Sequence, residues 1–134
     1  IDTRHKIELG GLVIKAGLGE TSKAIILGAL LSAMEQIKKD FGSFDAFMAR
    51  LKAAAMTRGV GWTMLYYCSE SGHLLLQWVD EQHIGHLAGP QCILALDMWE
   101  HAFVYDYPTS EKKKYIDAFF ENLNWKKAEE RFNG

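Results

Sequence analysis

The chain changes texture twice, and that change limits its fold more than any other feature. Up to about Gly59 the apolar residues recur at helical intervals; from Trp62 to Leu96 they come in short dense runs; from Ser110 the helical interval returns. Trp62 to Cys68 and His73 to Val79 are joined by Ser69-Glu70-Ser71-Gly72. Two apolar runs around a short Gly-containing turn are a β-hairpin signal, since Gly takes the positive φ such turns use. A loop through His83, His86, Gly89 and Pro90 leads to a third run, Cys92 to Leu96. The order helices, three strands, helices predicts an α+β domain with a three-stranded antiparallel sheet, its strands near 62–68, 73–79 and 92–97.

The helices are marked by their caps. Asp2 or Thr3 starts a first helix toward Ala16, although Gly10 and Gly11 each cost about 1 kcal/mol against Ala. Thr21 or Ser22 caps a second, with Ile25, Ile26, Leu30, Met34 and Ile37 on one stripe and Gly42 as its stop. Ser43 caps a third, which gathers Phe44, Phe47, Met48, Leu51 and Ala55 on one face. Ser110 is expected to cap a helix bearing Ile116, Phe119, Phe120 and Leu123. Asn124 caps a short last helix with Trp125, Ala128 and Phe132. The expected organisation is a helical hairpin at 1–40 followed by an α/β domain at 41–134.

Composition removes several function classes. Of 134 residues, 49% are apolar and 24% charged, which suits a packed core and not a disordered chain. Lys and Arg total 15 against 17 Asp and Glu, so no broad basic surface is available and nucleic acid is not the expected partner. No apolar stretch is long enough to span a membrane. Signal-peptide pattern is lacking, and Cys68 and Cys92 do not make a disulfide framework; the expected setting is the reducing cytoplasm. Both cysteines read as small buried strand residues. Lys112-Lys113-Lys114 reads as the solvated face of its helix, His86 as a solvated loop residue, and Tyr66, Tyr67, Phe119 and Phe120 as core or interface.

The segment with most chemistry in it is Asp97-Met98-Trp99-Glu100-His101. An Asp and a His four residues apart can reach one metal ion, the carboxylate as a hard oxygen donor and the imidazole as a neutral nitrogen, a mixture that suits Fe, Mn or Zn. From spacing alone the simpler reading is a strand-end Asp capping the next turn and a His packed at a domain edge, because short motifs often match by chance.

The surroundings change that balance. Asp97, Trp99, Glu100, His101, Ala102 and Phe103 follow the pattern D-x-W-E-H-A-[FY]. Lys39-Asp40-Phe41-Gly42-Ser43-Phe44 precedes it, Gly61-Trp62 opens the sheet, and Tyr115-Ile116-Asp117-Ala118-Phe119 with Asn124-Trp125 closes the chain. Together, over about residues 38–132, these motifs resemble the C-terminal domain of the iron/manganese superoxide dismutases. The resemblance implies that Asp97 and His101 are metal ligands for Fe or Mn and that Trp62 and Trp99 wall the pocket. It places Glu100 against the other subunit's His101 across the two-fold interface of a homodimer. His83 falls near where the family places a His or Gln that bonds the metal-bound solvent, one residue short of the expected spacing to Asp97.

Other positions depart from the family. It takes two further His ligands from an N-terminal helical hairpin. Laid on its second helix, Glu8 to Lys15 puts Leu12 at the ligand position, with His5 out of register, and the first family helix has no counterpart in this sequence. Val104 stands where the family has a Tyr. Residues 2–36, from Asp2-Thr3-Arg4-His5-Lys6 through Ile26-Leu27-Gly28-Ala29-Leu30-Leu31, instead resemble TraD-type conjugal transfer proteins of plasmids. The expected function is therefore a superoxide dismutase family protein, an oxidoreductase by descent, with an incomplete metal site and weak or no activity as this chain: a pseudoenzyme. Two alternatives stand beside it. One is a working metal-dependent dismutase whose remaining ligands come from upstream or from a partner. The other is a non-catalytic dimerisation module linked to conjugal transfer.

Overall fold

The structure, a computed structural model, describes residues 31–134. It opens with helices α1 (Leu31–Phe41) and α2 (Phe44–Ala55). Strands β1 (Gly61–Cys68), β2 (His73–Asp80) and β3 (Gln91–Asp97) follow. Short 3-10 turns at Glu100–Ala102 and Thr109–Glu111 lead into α3 (Lys112–Glu121) and α4 (Trp125–Asn133). The sheet is antiparallel in the order β2-β1-β3, so the α+β architecture and all three strands stand where the sequence puts them. The expected first helix and the first part of the second lie outside the described residues.

Local chemistry explains most boundaries. Gly42 takes φ +89°, the left-handed conformation that ends helices, and its N–H donates to the Lys38 carbonyl at 2.9 Å. Ser43 Oγ accepts from the Ala46 N–H at 3.0 Å, and Asn124 Oδ1 from the Lys127 N–H at 3.0 Å. Ser110 does not cap. Pro108 starts a 3-10 turn that takes Ser110 inside it, and α3 begins at Lys112 with no side-chain cap.

One face of the sheet carries the core. Leu65, Leu74, Ile93, Leu94 and Leu96 meet Met34 and Ile37 of α1, Phe44, Phe47, Leu51 and Ala55 of α2, Ile116 and Phe120 of α3, and Trp125 of α4. Each fully buried side chain of this size stabilises by about 1.5–3 kcal/mol. The opposite face holds a smaller cluster, Met64, Tyr66 and Val79, ringed by Trp62, Leu75, Leu87 and Cys92. Cys68 and Cys92 are only partly buried, less than expected, because Cys68 ends β1 beside the hairpin turn and Cys92 lies near the start of edge strand β3. Tyr66 and Phe120 are buried, and Tyr67 and Phe119 pack partly against the core.

Two features fix the sheet against its neighbours. A Cβ on Gly61 would lie 2.2 Å from the Val79 carbonyl oxygen and 2.9 Å from the Trp78 ring, so only glycine lets β1 start there. At the other end, α1 clamps the hairpin. The Asp40 carboxylate accepts from the Leu74 N–H at 2.7 Å, from His73 Nδ1 at 2.7 Å and from Gln36 Nε2 at 2.7 Å. Gln36 Nε2 also reaches the Gly72 carbonyl at 2.8 Å. Burial alone would raise the Asp40 pKa; the bonds from Leu74, His73 and Gln36 outweigh it and hold the carboxyl below its ordinary value.

Candidate metal centre

The register of β1 against β3 sets Trp62 directly opposite Asp97. Residues paired this way leave the sheet on the same face, so both side chains stand on the face away from the helical core. Asp97 Oδ1 accepts from the Trp99 N–H at 3.0 Å, closing the turn after β3 as a strand-end Asp does. The Asp97 carbonyl accepts from the Tyr115 O–H at 2.8 Å, and the Tyr115 ring stacks on Phe103 with centroids 4.7 Å apart. Burial, then the nearby Asp97 charge, raises the Tyr115 pKa and keeps the phenol a donor. Met98, buried, extends the ladder with its N–H on the Gly61 carbonyl at 2.9 Å. The end of β3 is therefore held from three sides before any ligand is considered.

The loop after β2 closes over this corner. Glu81 has φ 52°, and its N–H donates to the Val60 carbonyl at 2.9 Å. This left-handed residue turns the chain back from the sheet edge. Trp99 Nε1–H donates to the Glu81 carbonyl at 3.1 Å, and Trp62 Nε1–H to Gln82 Oε1 at 2.8 Å. The two tryptophans expected to wall the pocket thus hold the same loop. His83 is exposed and makes no hydrogen bond among the described residues. Gln82, one residue earlier, is the side chain brought to Trp62, and it has the spacing to Asp97 that His83 misses. That one-residue discrepancy was the sequence signal that could have found it. His86 is exposed but not merely solvated: its ring bridges Tyr66 Oη and the Gln82 carbonyl, each at 3.0 Å.

Glu100 and His101 lie on the 3-10 turn just beyond, both exposed, with Val104 and Tyr105 exposed after them. Lys112 departs from the solvated face read for its run: its Nζ donates to the Thr57 carbonyl at 3.0 Å beyond the end of α2. Burial lowers the Lys112 pKa, and Glu100 partly offsets this.

The donor set can be tested directly. Asp97 and His101 pair an oxygen with a nitrogen donor, as Fe or Mn accept. Of the chain's five histidines, His73 is engaged by Asp40 and His86 by Tyr66. Among the described residues no group of three or more His, Cys, Asp or Glu side chains is arranged to hold a metal ion. Two donors leave coordination number and geometry unset, so the described residues alone do not fit a redox metal.

The sequence model of the iron/manganese superoxide dismutases, C-terminal domain, matches residues 30–131. The chain belongs to the iron/manganese superoxide dismutase family. Its dismutase relatives carry both metals in their names. It is 37% identical over 99 residues to the iron superoxide dismutase of Methanothermobacter thermautotrophicus, covering 73% of this chain and 48% of the relative. It is 42% identical over 98 residues to manganese superoxide dismutase 1 of Halobacterium salinarum, covering 73% and 48%. With the iron superoxide dismutase of Aquifex pyrophilus the identity is 36% over 122 residues, covering 91% and 53%. The dismutase-family chain thus spans about half the length of the curated relatives it matches. The model of the conjugal transfer protein TraD matches residues 1–50, which includes the N-terminal stretch that resembles it and overlaps the dismutase match. Among the described residues no helix is long and apolar enough to cross a membrane.

Proposed function

We propose that this chain is a dismutase-type domain carrying half of an Fe or Mn centre, and that by itself it binds metal weakly and removes superoxide poorly. The observation that carries this reading is the paired register of Trp62 and Asp97, with His101 on the turn that follows, and two donors where a redox metal needs more. Asp97 and His101 are the ligand pair, and Trp62 and Trp99 the pocket wall. Gln82 takes the solvent-bonding place that the family resemblance first suggests for His83, because Gln82 is the side chain bonded to Trp62. Exposed Glu100 and His101 are the groups for a two-fold contact between copies, in the cytoplasm. We place the division between the N-terminal segment and the dismutase domain near residue 30, not 40, since Met34 and Ile37 sit in the same core as the sheet.

The test is to load the purified chain with Fe or Mn, remove free metal, and measure metal per chain alongside superoxide removal. Substoichiometric metal and low turnover are expected. Stoichiometric metal with high turnover, abolished by Asp97→Ala or His101→Ala, would overturn the reading and support the working-enzyme alternative.

The exposure of Glu100 and His101 on the 3-10 turn, and of Val104 and Tyr105 just after it, favours a second reading, a dimerisation module without catalysis. Sedimentation of the parent chain and of Glu100→Ala at micromolar concentration checks it. A dimer weakened by the substitution supports this module, and a monomer in both cases refutes it.

A further inference from the structure

We propose that Tyr66 and His86 form a latch that positions Gln82, and that His86 is a positioning residue of this site. Trp62 holds the side chain of Gln82, at Oε1. His86 holds its backbone: Nε2 lies 3.0 Å from the Gln82 carbonyl oxygen. A carbonyl only accepts, so His86 Nε2 carries the proton. In the neutral ring Nδ1 is then an acceptor, and the partner 3.0 Å away is the Tyr66 hydroxyl, which donates. The tautomer of His86 is thus set by two fixed groups, one on the loop and one on the central strand.

Tyr66 is suited to anchor such a latch. Its ring is 3% exposed within the cluster of Met64 and Val79, and β1 runs between the other two strands. Burial raises its pKa, with the Leu87 N–H pulling the other way and Cys92 adding to the rise, so the phenol keeps its proton near neutrality. The result is a chain of contacts from a rigid strand through Tyr66 and His86 to Gln82, and back through the Trp62 indole to the same strand. Two ties on one residue fix where its side chain stands beside Trp62, whose strand partner is Asp97, and neither tie is a contact to Asp97 or His101. The inference rests on Gln82, and not His83, being the residue that faces the pocket.

The experiment follows the Trp62 indole N–H and the His86 ring nitrogens by NMR in the isotope-labelled full chain, without added metal. The expected parent state is His86 protonated at Nε2 alone, with a slowly exchanging Trp62 indole proton. In Tyr66→Phe and in His86→Leu the indole proton exchanges about fivefold faster, the loss of one neutral hydrogen bond, while β1 and β3 amides exchange as in the parent. His86→Gln, which keeps an acceptor and a donor, restores part of the protection. His86 is exposed, so its variants keep the test informative even if Tyr66→Phe disturbs folding. A proton on Nδ1, an unchanged indole in the His86 variants, or acceleration spread evenly over the strand amides each overturns the latch. The Gln82 reading fails separately, if Gln82→Ala leaves the Trp62 indole proton exchanging at the parent rate, since Gln82 is then not the group that Trp62 holds.

Discussion

The two faces of the sheet are held by different physics. On the core face Leu65, Leu74, Leu94 and Leu96 meet side chains from four helices, and the contacts are non-directional burial. On the other face Trp62, Trp99 and Tyr66 each direct a polar hydrogen at loop 81–86. Burial is roughly proportional to area and tolerates small adjustments. A hydrogen bond is worth only about 1 kcal/mol net but is sharply angle-dependent. The core face therefore supplies stability and the site face supplies position, and substitutions on the two should differ in kind as well as in size.

The largest effect is expected in the core. Leu96→Ala removes a fully buried side chain at the centre of the helical face and should lower unfolding free energy by about 2–5 kcal/mol in denaturant titration. A loss under 1 kcal/mol would mean that this face is not the main source of stability. Gly61→Ala comes next, at about 3 kcal/mol, because the added methyl meets the Val79 carbonyl, which cannot move without breaking the β1–β2 ladder. Since Gly61 starts the strand carrying Trp62, this variant should also disturb loop 81–86, visible as faster proteolysis there.

Asp40→Asn should cost about 2 kcal/mol at neutral pH, as hydrogen bonds to an ionised carboxylate are lost. The folded Asp40 pKa lies below its ordinary value of 3.8. Its contribution is therefore complete above that value and disappears as pH falls through the folded one, so parent and variant should converge in acid. A gap independent of pH would show that the clamp acts by shape and not by charge. Trp62→Phe is the smallest, about 1 kcal/mol, with strand amides unchanged and loop 81–90 more readily cleaved. If it unfolds the protein as Leu96→Ala does, the distinction between the faces fails.

Much of the fold was legible because its signals are local. Ser43, Asn124 and Gly42 act within a turn of their own helices, and the hairpin turn before His73 lies between two apolar runs. Ser110 misled because its capping pattern was right while Pro108, two residues earlier, had already begun a different turn. At the candidate site, Asp97, Trp99 and His101 stand out in the sequence as one short motif. The contact of Gln82 with Trp62 was harder to see, because neighbours on a loop differ in which way they face. The Tyr66–His86 contact spans twenty positions and leaves no periodic trace.

The sequence by itself determined the order and kind of the elements, since helical and strand periodicities and cap chemistry depend on residues within a few positions of one another. Only the tertiary structure decided that Trp62 lies opposite Asp97, that Trp62 takes Gln82 and leaves His83 in solvent, and that Asp40 ties α1 to the hairpin. Those choices depend on strand register and on how the 81–90 loop closes over the sheet. A shift of one residue would send each side chain to the other face while leaving local preferences almost unchanged.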